Sequence, residues 1–182
     1  MPFELWLAFV AASTALLAIP GPTVILVVSY ALGRGRSSGW ATVPGVTLGD
    51  FAAMTASLLG AGAILAASST LFTVLKLAGA AYLVWLGINL WRAEPELEGL
   101  RKVQRENSNS SMFWNSFVVT ALNPKSIVFF VAFVPQFVDP SGNVLLQFVV
   151  LEATFVTLAA INVILWAVLA GRLRSQFKRP ET

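Results

Sequence analysis

The chain has 182 residues, of which 57% are hydrophobic and only 12% charged, and it carries a net charge of +3 with neither cysteine nor histidine. A mean hydropathy of +0.76 leaves too little polar side chain to clothe a water-soluble globule, so the composition indicates an integral membrane protein. Without cysteine, histidine or clustered carboxylates there is no support for disulfides, thiol or hydrolytic catalysis, a metal centre or a cofactor, and the chain reads as no enzyme.

A bilayer-spanning helix needs roughly 20 mainly apolar residues. Five such runs follow one another, at about 3–32, 40–66, 71–91, 112–137 and 144–169. The fold class expected is therefore an all-α, polytopic transmembrane helix bundle in a single membrane domain spanning 1–182. The first run is too long for a cleaved signal and lacks a basic leading region, so it is expected to stay.

Within that first run lies Ile19-Pro20-Gly21-Pro22-Thr23. Proline removes a backbone donor and clashes with the preceding turn, so the helix should break and open carbonyl groups that lipid cannot satisfy. The segment Gly33-Arg34-Gly35-Arg36-Ser37-Ser38-Gly39 follows a helix and not a strand, with the wrong spacing for a nucleotide loop; it reads as a tight turn. Its arginines begin a pattern. Ten of the twelve basic residues follow the first, third or fifth run, and Lys76 and Lys125 stand apart. By the positive-inside rule the N-terminus lies outside and the basic C-terminal tail in the cytoplasm, and the positive charge reports topology and no affinity for nucleic acid.

The second run carries small residues at every fourth position, Ala41, Gly45, Gly49, Ala53, Ser57 and Ala61, a pattern that lets helices approach closely in lipid. Asp50 lies one step from that stripe, where an ionised carboxylate costs about 2.5 to 3.5 kcal/mol on insertion scales. Thr47 and Ser57 share its face as potential partners. Two readings stay open: Asp50 binds substrate or a proton, or it caps the broken end of another helix.

After the third run, 93–111 carries mixed charge, a proline and an Asn/Ser cluster and reads as a cytoplasmic linker between a first helical half (1–92) and a second (112–182). The fourth run holds the second break, Leu122-Asn123-Pro124-Lys125. A shift of 102 positions superposes Pro22 on Pro124, Asp50 on Glu152 and Thr55 on Thr157, as an inverted three-helix repeat would, with the last helix missing. Glu152 is surrounded at helical spacing by Phe148, Val149, Phe155 and Val156. It is expected either to pair with Lys125 or to sit protonated at the lipid edge. Trp6, Trp40, Trp85, Trp91 and Trp114 fall near helix ends, where indole suits the headgroup zone.

Taken together, Pro20-Gly21-Pro22-Thr23, the stretch from Gly33-Arg34-Gly35-Arg36 to Gly45-Val46-Thr47-Leu48-Gly49-Asp50, and Leu122-Asn123-Pro124-Lys125 through Phe133-Val134-Pro135-Gln136-Phe137-Val138-Asp139-Pro140 resemble the LysE/RhtB superfamily of amino-acid exporters. The resemblance implies a bacterial inner-membrane exporter of amino acids or their derivatives, driven by the proton gradient. It also differs in three places: Thr23 stands where the family usually has asparagine, Glu152 where it has a small residue, and family members usually continue into a sixth helix. That last difference leaves three readings: a partner, such as a second copy in a homo-oligomer, supplies the missing surface; the fifth helix suffices; or the chain is a non-transporting membrane interaction subunit.

The functional expectation is a secondary transporter with amino acid, protons and membrane lipids as partners. Its substrate and proton site comprises Pro20, Gly21, Pro22, Thr23, Asp50, Asn123, Pro124, Lys125 and Glu152.

Overall fold

The computed structural model describes residues 1–92, 108–139 and 141–177. Among them all regular structure is helical: α1 (Phe3–Ala18), α2 (Pro22–Arg34), α3 (Gly39–Ala67), α4 (Ser69–Arg92), α5 (Asn109–Ala121), α6 (Pro124–Val128) and α7 (Val144–Phe177). A 3₁₀ turn at Arg36–Ser38 joins α2 to α3, and α6 runs on as a π turn, Phe129–Phe133, and a 3₁₀ turn, Val134–Phe137. The helices α3, α4 and α7 are each long and apolar enough to cross a membrane. Two more crossings follow if each bent pair, α1 with α2 and α5 with the segment from Pro124, is one span. The polytopic all-α bundle read from composition is what forms. The linker assigned to 93–111 lies outside the described residues as far as 107, as do Pro140, the tail from 178 and the side chain of Trp91.

Both proline segments break their helices as expected, with bends of 54° between α1 and α2 and 40° between α5 and the segment from Pro124. The two breaks share one local design. In each, the proline occupies the first helical position, where its missing N–H costs nothing, and an extended residue, Gly21 or Asn123, precedes it. Their caps differ. The side chain of Asn123 accepts from the Lys125 N–H at 3.1 Å, whereas the first turn of α2 has no side-chain cap. The helix α5 begins three residues before the expected span because Ser108 accepts from the Ser111 N–H at 3.0 Å, turning part of the Asn/Ser cluster into a helix start.

The small-residue stripe does what its spacing predicts: all six of its residues are buried. At Gly45 an added Cβ would lie 2.5 Å from the Phe113 carbonyl oxygen, and at Gly49 one would lie 2.8 Å from that of Phe117. The α3 and α5 backbones are therefore in direct contact, and only glycine fits there. The neighbouring stripe, Val46, Asp50, Met54 and Leu58, is buried too and turns toward α7.

Two apolar clusters flank the level of Asp50. On one side Phe9, Met54, Phe129, Phe130, Phe137 and Phe155 knit α1, α3, the π turn and α7. Phe130 meets Phe155 edge to face at 4.8 Å, and Phe9 meets Phe137 at 5.4 Å. On the other side Val27, Val46, Val163 and Ala167 join α2, α3 and α7. The turn after α2 closes against the far end of α7: Gly35 takes φ +86°, where a Cβ would lie 2.7 Å from Arg174 Nη1, and Arg36 packs directly on Gly171. Arg36 and Arg174 thus lie at one end of the bundle.

At the opposite end Gln147 clamps the loop before α7. Its Oε1 accepts from the Asp139 N–H at 2.8 Å and its Nε2 donates to the Asp139 carbonyl at 2.9 Å. The exposed Asp139 carboxylate accepts from the Ser141 hydroxyl and backbone N–H, which hold it below the usual carboxylate range. Gln147→Leu keeps the volume but strands both Asp139 backbone groups, so it is expected to cost about 1 kcal/mol, seen as a lower thermal midpoint in detergent.

Trp40, Trp85 and Trp114 are exposed, as anchors would be. Trp6 differs: its indole N–H donates to Thr154 Oγ1 at 3.1 Å and ties α1 to α7.

Candidate functional site

Between the two apolar clusters lies a cavity of about 40 Å³ bounded by both helix breaks, α3 and α7. The first break supplies Ile19, Gly21 and Thr23; the second supplies Asn123, Lys125 and Ser126. Asp50 enters from α3 and Asn162 from α7. Such a volume holds a few waters, since one water takes about 30 Å³ of the liquid and fits in less as cavity volume. An amino acid would need the helices to part.

The breaks touch through named bonds. Thr23 Oγ1 accepts from Asn123 Nδ2 at 3.3 Å and from Thr120 Oγ1 at 3.2 Å, so the hydroxyl at position 23 joins the two breaks. Lys125, 8% exposed, donates from Nζ to the Ile19 carbonyl at 2.7 Å. That carbonyl is one of those the Pro20–Pro22 break leaves without an intrahelical donor, so the cation of one break satisfies the opened backbone of the other.

Asp50 is 4% exposed, and its carboxylate makes no hydrogen bond to any described residue. Its principal charged neighbour is Lys125, and the influence is mutual, yet no ion pair closes within 4.0 Å. The expected local partners are engaged elsewhere or remote: Thr47 Oγ1 donates to the Val43 carbonyl at 2.8 Å, and Ser57 lies two turns away. Nor does Asp50 cap a broken helix, since α6 is capped by Asn123 and α2 by no side chain. A buried carboxylate that lines a cavity and has no hydrogen bond to its side chain is an arrangement that can accept a cation or a proton.

Of the residues singled out from sequence, Gly21, Thr23, Asp50, Asn123 and Lys125 meet at this cavity. Pro20, Pro22 and Pro124 are exposed and shape it only through the backbone they bend. Glu152 stands outside it. The proposed Glu152–Lys125 pair does not form: Thr55 Oγ1 donates to Glu152 Oε1 at 2.5 Å across α3 and α7, while Lys125 is held by Ile19. Glu152 is instead half-buried at the α3–α7 contact, with Thr55 as its partner. Asn162 was not anticipated; a lone amide in the apolar stretch of α7 is the signal that marks it. Lys125→Met is expected to strand the Ile19 carbonyl and cost about 1–3 kcal/mol, measured by thermal unfolding in detergent.

An apolar bundle whose two broken helices wall an internal cavity carrying polar side chains defines a polytopic membrane protein with a buried site where the breaks meet. The family model of the LysE type translocators matches residues 14–182, and the chain belongs to that family. It is 34% identical over 181 residues to the homoserine/homoserine lactone efflux protein of Salmonella typhi, covering 100% of this chain and 87% of that one. Against an uncharacterized membrane protein of Vibrio cholerae the identity is 34% over 180 residues, 99% of this chain and 87% of the other. The leucine efflux protein of an Enterobacter species is 32% identical over 146 residues, 75% of this chain and 65% of that protein. No solved structure matches.

Proposed function

We propose that the protein exports amino acids or their close derivatives across the bacterial inner membrane by proton antiport, with its N-terminus outside and its C-terminus in the cytoplasm. The observation that carries the proposal is the buried, unbonded carboxylate of Asp50 at a cavity where two helix breaks converge. An amino acid brings an ammonium and a carboxylate, and the site offers an answer to each. Asp50 takes the ammonium or, in its absence, a proton. The uncapped first turn of α2, with the charge of Lys125 beside it, takes the carboxylate. The efflux activities named for the relatives, on homoserine, its lactone and leucine, support the same class of cargo.

Export follows if the two breaks part alternately toward each side, since the closed cavity is too small for the cargo. The bonds holding the breaks together, from Asn123 to Thr23 and from Lys125 to Ile19, are those that such rocking must exchange. An intact polar site of this kind favours transport over a purely structural membrane subunit. Purified protein in vesicles loaded with labelled amino acids tests the proposal: an imposed proton gradient should accelerate efflux, and flux no faster than from protein-free vesicles would refute it.

A further inference from the structure

A second cavity, of about 280 Å³, lies between α1, α4 and the π turn, and its wall is almost wholly apolar. Ala12, Leu83, Gly87, Phe129 and Phe133 are among the residues that line it. It adjoins the polar cavity, because Leu16, Ile19 and Lys125 line both. The small residues leave the space open: a Cβ added at Gly87 would meet nothing within 4 Å. The π turn contributes its Phe129 and Phe133 rings, 5.2 Å apart, in a single patch. A single π turn inside a helix is uncommon and often marks a functional position.

The geometry points to this cavity as the side-chain pocket of the exporter, selecting amino acids with a branched or otherwise bulky apolar side chain. The inference rests on the function proposed above. With the ammonium at Asp50 and the carboxylate near the first turn of α2, the cargo's side chain must leave the small polar cavity. On the α7 side Ala159 and Val163 close the way. Leu16, Ile19 and Lys125 form the wall shared with the larger apolar space, which holds a four-carbon side chain with room to spare once those side chains move aside. Each methylene buried in such a pocket is worth on the order of 10- to 200-fold in selection, so a leucine-sized side chain should be strongly preferred over a methyl group.

The test is Gly87→Leu, a substitution that fills the cavity from an unobstructed position and suits a helix better than glycine. In vesicles, export of leucine should fall about tenfold or more while export of alanine changes less than about twofold, since alanine has little side chain to place there. Leucine and alanine export falling together, or neither of them changing, would overturn the pocket assignment; the latter is the result expected if a lipid tail occupies the space. Failure of the wild-type protein to export either amino acid would instead remove the functional reading on which the assignment rests.

Discussion

Asp50→Asn is expected to stop gradient-driven export while leaving the folded bundle intact. Asparagine matches the carboxylate in shape and breaks no hydrogen bond to the described residues, because the Asp50 side chain makes none. It removes a buried charge that insertion makes expensive but leaves buried Lys125 without its principal charged neighbour, so the two effects oppose and thermal stability should change little. Function should not survive. A charge-assisted contact to an ammonium group is worth about 1.5–3 kcal/mol. Losing it corresponds to about a 10- to 150-fold weaker hold on the substrate. The coupling should fail as well, since an amide carries no proton between the two sides; residual flux through Asp50→Asn should no longer respond to an imposed pH difference. Efflux from vesicles at matched protein content, with and without the gradient, checks both effects. Combining Asp50→Asn with Lys125→Met should cost less than the sum of the two, because each charge is the other's principal neighbour.

A large structural effect is expected at Gly49. A Cβ there would lie 2.8 Å from the Phe117 carbonyl oxygen, 2.9 Å from Thr120 Cβ and 3.2 Å from the Ala121 nitrogen. Two of these are backbone atoms of α5, which cannot rotate away. Gly49→Leu must therefore push α3 from α5, and overpacking of this kind costs about 1–3 kcal/mol, occasionally more. The displacement would also reach the site, because Gly49 adjoins Asp50 and Thr120 bonds Thr23. A lowered thermal midpoint in detergent should accompany impaired export. Gly62, where an added Cβ meets nothing, is the matching control: Gly62→Leu should leave the midpoint within about 0.5 kcal/mol of wild type.

The two breaks were legible in the sequence because proline acts locally: it imposes its backbone angle and removes its donor wherever it stands. The α3–α5 contact was legible for a related reason, since small residues at every fourth position mark one helix face whatever packs there. Partners across the fold were not. Nothing in the spacing of Glu152 indicates that Thr55 faces it, or that Lys125 is taken by the Ile19 carbonyl. Matching Asp50 to Glu152 by the 102-residue shift placed two carboxylates in equivalent roles, but only Asp50 reaches the cavity. The π turn at Phe129–Phe133 was likewise hidden, because five consecutive apolar residues fit an ordinary helix equally well and the choice belongs to tertiary packing. Asn162 could have been found by treating a lone amide in an apolar helix as the carboxylate of Asp50 was treated.

The central claim is that the cargo occupies the cavity between the breaks, and the natural absence of cysteine allows it to be tested in place. Ser126 lines that cavity, is 8% exposed, and differs from cysteine by one atom. In reconstituted Ser126→Cys protein, the rate of reaction with a small thiol reagent should fall as a transported amino acid is added, and it should fall over the concentration range that saturates export. A labelling rate unchanged at saturating amino acid, in protein that still exports it, would contradict the claim.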